Sequence, residues 1–347
     1  KPVVYGDEYS DLPIFLEDMA QMRLKTKIES NPIVGRTVVT QKADVYGLSE
    51  YHYSNEYLKF CGRKRELAQL DEFAEMDRRI QWWAVTGQGG SGKSRLAFEF
   101  LKRCQKEWFG FFLNFSVSEE TVNQFVPFND TMIIVDYVKG NEKQIAKIVS
   151  MLIDKFKLLT YKLRILFLER DNFILRGSWY DLLLTAFDMM HRTEFNEAEY
   201  NLDMLTRKHR FLLLDDLEDE AVIELIGNIC EKKELPTDAV RDRKLKEDYA
   251  KKFEQLKFRP LFLQLYVEAW IDNGCTAVEY ENYRSLLNIV VTREQERILQ
   301  MLEGDMVVFN ALIKLIIRAS ISDGFSFDGI KSLYEDEWNI VRNYAKT

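Results

Sequence analysis

Cysteine, histidine and long apolar runs are scarce in this sequence, and each scarcity removes a class of function. The four cysteines, Cys61, Cys104, Cys230 and Cys275, lie far apart and lack the paired spacing of zinc or dithiol redox sites. Scattered cysteines of this kind fit buried, reduced thiols, so a cytoplasmic location is expected. His52, His191 and His209 form no spaced set for metal binding or acid–base work. No apolar run approaches the roughly 18 to 20 residues that span a bilayer. The opening KPVVYGDEYSD has no basic-then-apolar signal pattern and no initiator methionine, so a piece of a longer polypeptide is expected. A surplus of positive charge is missing too. The formal charge of −8 argues against a broad nucleic-acid footprint while leaving room for a local basic patch, and nucleic acid is not expected as a partner of this region. Internal repeats and low-complexity tracts are absent from the sequence.

What remains is ample for folding. Hydrophobic residues make up 46% and charged residues 30% of 347 residues, enough for a large core in two or three packed units. Residues 1–57 read as a connector: DLPIFLEDMAQMRLKTKIES has the spacing of one amphipathic helix, and an arm rich in turn formers follows. From 58 to 215, short β-type runs alternate with helical segments. The runs are QWWAVT, FGFFLNFSV, MIIVDYV, LRILFLER and HRFLLLDDL. Continuous branched and aromatic runs separated by helices predict a five-stranded parallel sheet covered on both faces, an α/β nucleotide-binding architecture. Beyond Asp216 every periodic segment reads as helix. We divide it into a helical lid, 216–285, and a helical or winged-helix unit, 286–347.

The chemistry concentrates in GQGGSGKS, Gly87 to Ser94, which fits G-x-x-x-x-G-K-[ST] and stands between a predicted strand and a predicted helix. Glycines let the backbone curl so that successive N–H groups face phosphate oxygens. Lys93 brings a point charge to the β- and γ-phosphates, and the Ser94 hydroxyl is placed to ligate Mg²⁺. A helix starting here adds its positive end.

Two further strand ends carry charge. MIIVDYV ends on Asp136, suited to hold Mg²⁺ through water beside the loop. LRILFLERD ends on Glu169, Arg170 and Asp171; if its strand lies between those of the loop and Asp136, Arg170 faces the γ-phosphate. Tyr137 follows Asp136 where a hydrolytic carboxylate often stands, and an ordinary phenol is no base near neutral pH. Glu169, then Asp171, are the remaining candidates for the base. Neither holds the usual position, so hydrolysis is expected to be slow.

Together these residues resemble the STAND class of P-loop NTPases, which includes NACHT and NB-ARC proteins, and among them most nearly the bacterial antiviral sensors. FCGRKRELAQL is similar to the family's hydrophobic–Gly–Arg motif, which implies Gly62 and Arg63 near the nucleotide base. TGQGGSGKSRLAFEF resembles the loop and its Arg-Leu-Ala helix, implying nucleotide contacts from Gly87, Gln88, Gly89, Gly90, Ser91, Gly92, Lys93, Ser94 and Arg95. MIIVDYV, LRILFLERD with GSWYDLL, and LLLDDLEDEAVIELI resemble the Mg²⁺ strand, the arginine-sensor strand and the start of the lid. KFRPLFLQL keeps the lid proline, Pro260, implied to lie against adenine, but has Phe258 where the family favours glycine; Pro260 otherwise simply opens a helix.

The resemblance covers about residues 58–285 and implies ATP/ADP and Mg²⁺ as cofactors, with ATP favoured over GTP because no base-reading motif of the G-protein kind is present. It implies a weak ATPase acting as a switch, self-association on activation, and a protein trigger such as a phage protein sensed outside this chain. An effector is expected before Lys1 and a sensor after Thr347. The alternatives are a remodelling ATPase of the AAA+ kind and a scaffold that binds nucleotide without hydrolysing it.

Overall fold

The structure is a computed structural model that describes residues 30–37, 51–170, 177–191, 211–276, 298–321 and 334–344, with single positions between 288 and 296. The helix expected over residues 11–30 falls almost wholly outside them, as does Asp171. The chain divides into two compact units. Among the described residues, the first holds 30–37 and the described parts of 63–215, and the second holds 51–62 and the described parts of 216–344.

The first unit is built on β1 (Val34–Thr37), α1 (Lys64–Glu75), β2 (Ile80–Thr86), α2 (Lys93–Cys104), β3 (Phe109–Leu113), α3 (Glu119–Gln124), β4 (Thr131–Asp136), α4 (Glu142–Lys157), β5 (Leu163–Glu169), α5 (Trp179–His191) and β6 (Phe211–Leu213). The sheet order is β1-β3-β4-β5-β2-β6. Neighbours from β3 to β6 run parallel, whereas β1 is antiparallel to β3. Alternation along each strand divides its side chains between two faces. Ile133, Val135, Ile165 and Phe167 pack with Ile145, Val149 and Leu152 of α4 and with Tyr180 and Leu183 of α5. On the other face α2 lies over β3, β4 and β5, and Phe73 of α1 stacks on Trp83 at 5.1 Å between ring centroids. Burial on both faces explains why these strands read as continuous apolar runs.

Among the described residues six strands stand where five were expected. The additional one, β1, comes from the segment read as a connector. Its Val34 and the preceding Ile33 are buried in the sheet's core, and the strand pairs with what is otherwise the open edge of β3. A four-residue strand containing glycine gives too weak a period to be recognised in sequence.

The second unit is helical, with α6 (Asp219–Lys232), α7 (Ala239–Lys252), α8 (Pro260–Asp272), α9 (Met306–Ile321) and α10 (Glu335–Tyr344). Among the described residues no strand follows Leu213, and no helix is long and apolar enough to cross a membrane. Val222, Ile226 and Ile229 of α6 meet Leu245 and Tyr249 of α7 and Leu263 and Val267 of α8. Asp238 caps α7 by accepting the N–H groups of Val240 and Arg241, and Pro260 opens α8, where its missing N–H costs nothing. Phe258 stacks on Tyr249 at 5.8 Å, its carbonyl accepting the Leu217 N–H at 3.4 Å. The aromatic ring standing where the family favours glycine thus belongs to this unit's core.

Candidate functional site

The loop 87–92 leaves the carboxyl end of β2 and enters α2. Its base is clamped from both sides. Gly87 N–H donates to the Glu169 carbonyl at 3.2 Å, and Leu214 N–H donates to the Thr86 carbonyl at 2.7 Å. A Cβ on Gly87 would lie 2.8 Å from the Leu214 carbonyl oxygen, so only glycine permits this approach. Lys93, the first residue of α2, turns its ammonium back over the loop and donates to the carbonyls of Gly87 at 2.6 Å and Gln88 at 3.2 Å. Burial pulls the Lys93 pKa below its ordinary value, with Asp136 and Glu169 opposing and Arg170 adding to the fall.

Asp136 ends β4 beside this loop. Its Oδ2 accepts the Ser94 hydroxyl at 2.7 Å, and its carboxylate also accepts the Tyr137 backbone N–H. Burial nevertheless raises its pKa, because the hydrogen bonds and Lys93 only partly offset the desolvation. Tyr137 adopts a left-handed backbone, φ 59°, and its ring is 61% exposed. The phenol is therefore directed to solvent.

Strand β5 lies between β4 and β2, the position on which the expected role of Arg170 depends. The Arg170 guanidinium stands about 4.0 Å from where a Cβ on Gly89 would be, and among the described residues it makes no hydrogen bond. Glu169 is buried and already engaged. Its two carboxylate oxygens accept the backbone N–H groups of Lys139 at 2.9 Å and Arg170 at 2.6 Å. This fixes the ends of β4 and β5 together and favours a positioning task over proton abstraction.

The structure brings Lys93, Ser94, Asp136, Glu169 and Arg170 to one edge of the sheet. Other expected residues have different partners. Arg63 donates to the carbonyls of Ser91 and Asp215 and to Glu66, so its guanidinium is committed within the first unit. Arg95 pairs with Glu99 along α2 at 2.8 Å. Gly62 and Pro260 belong to the second unit. The sequence reading missed Thr86, whose buried hydroxyl ends the β2 run; a lone hydroxyl residue closing an apolar strand just before the loop was the available signal.

The donors present fit a phosphate group with a divalent cation. Among the described residues Ser91 Oγ and Thr86 Oγ1 are buried without a hydrogen-bond partner and the lysine donates to its own loop alone, and the loop has glycine beneath Arg170. A hydroxyl hydrogen-bonded to a carboxylate, as in Ser94–Asp136, is an all-oxygen pair suited to Mg²⁺ with water. The fold is that of a P-loop NTPase.

No protein-family model and no curated protein matches the sequence. Solved structures of similar fold include a Walker-type ATPase of Pyrococcus abyssi, 10% identical, covering 81% of this chain and 90% of its own, with a TM-score of 0.37. The ORC1 protein of Aeropyrum pernix in complex with DNA is 11% identical, covering 90% and 85%, with a TM-score of 0.41. The replication initiator DnaA bound to AMPPCP and single-stranded DNA is 13% identical, covering 87% and 92%, with a TM-score of 0.40. These likenesses concern the fold alone. Two of these proteins hold DNA, so the exclusion of nucleic acid drawn from net charge is withdrawn. A charge of −8 is a sum over the whole chain and does not fix the sign of a local surface.

Proposed function

We propose that this chain is the ATPase module of a STAND-type switch, binding ATP with Mg²⁺ and hydrolysing it slowly. The observation that carries the reading is the gathering of Lys93, Arg170 and the Ser94–Asp136 pair around one glycine loop, while the nearest carboxylate, Glu169, is tied to backbone amides. Lys93 and Arg170 would meet the charge of the terminal phosphate, and Ser94 and Asp136 would hold the metal. Bound Mg²⁺–nucleotide supplies the transferable phosphoryl group and a divalent counter-charge. Slow turnover follows from the residues at the base position: Tyr137 is a solvent-directed phenol, and Glu169 is occupied. A terminal phosphate adds charge that only some arrangements of Arg170 and Lys93 satisfy, so nucleotide state biases a two-state element. The family resemblance supports residues 216–285 as the lid, a hinge near Asp215 to Glu218, ADP as the holding ligand, self-association on activation, and a place in antiphage defence.

The test is the steady-state rate of Mg-ATP hydrolysis over a wide range of protein concentration, with Lys93→Ala beside it. The expected result is turnover well below about 1 s⁻¹, rising with concentration and abolished in the variant. Fast turnover independent of concentration would overturn the switch and favour a remodelling ATPase. Nucleotide binding with no turnover at any concentration would leave a scaffold.

A further inference from the structure

Among the described residues, the chain passes from the second unit to the first between Gly62 and Arg63, and back again between Asp215 and Asp216. The two residues of the first crossing are each fixed within their own unit. Gly62 has φ 66°, and a Cβ there would meet Ala221 Cβ of α6 at 2.7 Å, so no side chain fits. Arg63 is only 8% exposed and also has a left-handed backbone, φ 59°, with its carbonyl accepting the Leu67 N–H in the first turn of α1. Its guanidinium donates to the Ser91 carbonyl at 3.3 Å, the Asp215 carbonyl at 2.6 Å and Glu66 Oε1 at 2.8 Å. One planar group therefore joins the phosphate loop to the last residue before the second crossing, while its own backbone stands at the first.

We propose that Arg63 is a positioning residue that transmits the state of the phosphate loop to the two crossings between the units that lie among the described residues. The proposal rests on the nucleotide-switch reading and names the residue through which that switch acts. Ser91 N–H donates at 3.2 Å to the Gln88 carbonyl, one of the two that Lys93 holds, so a move of Lys93 off those carbonyls acts on the peptide next to the Ser91 carbonyl. The bond to Asp215 is short and the bond to Ser91 is long, so the guanidinium is held firmly at the crossing and loosely at the loop it senses. Nη2 donates to both carbonyls while Nη1 holds Glu66, and the planar fork fixes these directions together; a lysine ammonium is a point charge on a flexible stem with no second nitrogen to anchor it.

The experiment is amide hydrogen exchange on the whole chain with and without Mg-ADP, read separately for the loop, 87–94, and for the crossings, 60–66 and 212–219. In the wild type, ADP slows exchange in all three segments. In Arg63→Ala, protection of the loop persists, while ADP-dependent protection of the crossings falls by about tenfold or more, the worth of a charged hydrogen bond. Arg63→Lys restores part of it. Full ADP-dependent protection of the crossings in Arg63→Ala overturns the proposal. If that variant does not fold, full protection in Arg63→Lys overturns it instead. A wild type protected in the loop but not at the crossings sinks the proposal and spares the nucleotide reading; no protection anywhere sinks both.

Discussion

Strand β5 carries an arginine at each end, and the protein treats the two in opposite ways. Arg164, at the amino end, is fully buried. Its guanidinium donates to the carbonyls of Phe73 and Arg78 at 2.9 Å, of Leu163 at 3.2 Å, of Arg79 at 3.3 Å, and of Met76, with the Trp108 ring 5.3 Å away. These include carbonyls at the carboxyl end of α1, which the helix cannot satisfy itself. Burial pushes its pKa down to about 10, which still leaves it charged at neutral pH. Arg170, just past the carboxyl end, is exposed and has no such acceptors among the described residues; it faces the glycine loop. A cation whose three nitrogens all donate to carbonyls is part of the fold. A cation with donors unspent, beside a loop of glycines and a second ammonium, is available to an anion. The sheet is thus sealed at one edge and chemically open at the edge where parallel α/β folds bind ligands.

The sharpest way to break this comparison is to substitute both arginines. Arg164→Met keeps bulk but strands several buried carbonyls, so a loss of about 3 kcal/mol or more in urea unfolding is expected. Arg164→Lys should fall between, since an ammonium has three donors where the guanidinium has five. Arg170→Ala should leave stability within about 0.5 kcal/mol of wild type, as surface substitutions do. Its effect lies in binding: the preference for ATP over ADP in equilibrium titration should drop by about tenfold or more, the value of one charged hydrogen bond. If Arg170→Ala unfolds as readily as Arg164→Met, or keeps the full preference, the two ends are not specialised as described.

The same contrast explains what could be read from the sequence. Motifs whose residues are adjacent in the chain were legible: the glycine loop, Lys93 and Ser94 are local, and the apolar run ending in Asp136 announces its strand. The runs and their charged ends are visible in the sequence, but the order β4-β5-β2 is not; it is the condition on which the role of Arg170 depends, and the sheet meets it. What escaped depends on partners far apart. Arg164 sits inside LRILFLE as one polar letter in an apolar run, and nothing local shows that the turn after α1 supplies its acceptors. In sequence Glu169 is the first candidate base, a carboxylate at a strand end. Its engagement by Lys139, in the turn after β4, is visible only in three dimensions. Arg63 is placed near the nucleotide base only by the resemblance of FCGRKRELAQL to a family motif; its acceptors at Ser91 and Asp215 are remote in sequence and visible only in the fold.

The smallest effect is expected at Asp136, where the open edge meets the sealed core. Burial raises its pKa in the folded protein, so between the ordinary carboxylate value of 3.8 and the raised one the native state holds a proton that the unfolded chain has released. Stability therefore falls as pH rises through that window and levels off above it. Asp136→Asn removes the titration while leaving an oxygen to accept the Ser94 hydroxyl. Its stability advantage should be absent in acid, grow through the window, and stay below about 1 kcal/mol at neutral pH. Mg-ATP should reverse the ranking, because only the wild type gains the stabilisation that ligand binding confers. Thermal unfolding of both proteins across pH, with and without Mg-ATP, checks each arm. Equal stabilisation of the variant by Mg-ATP would show that this carboxylate merely caps a turn after β4, and the open edge would then lack its metal partner.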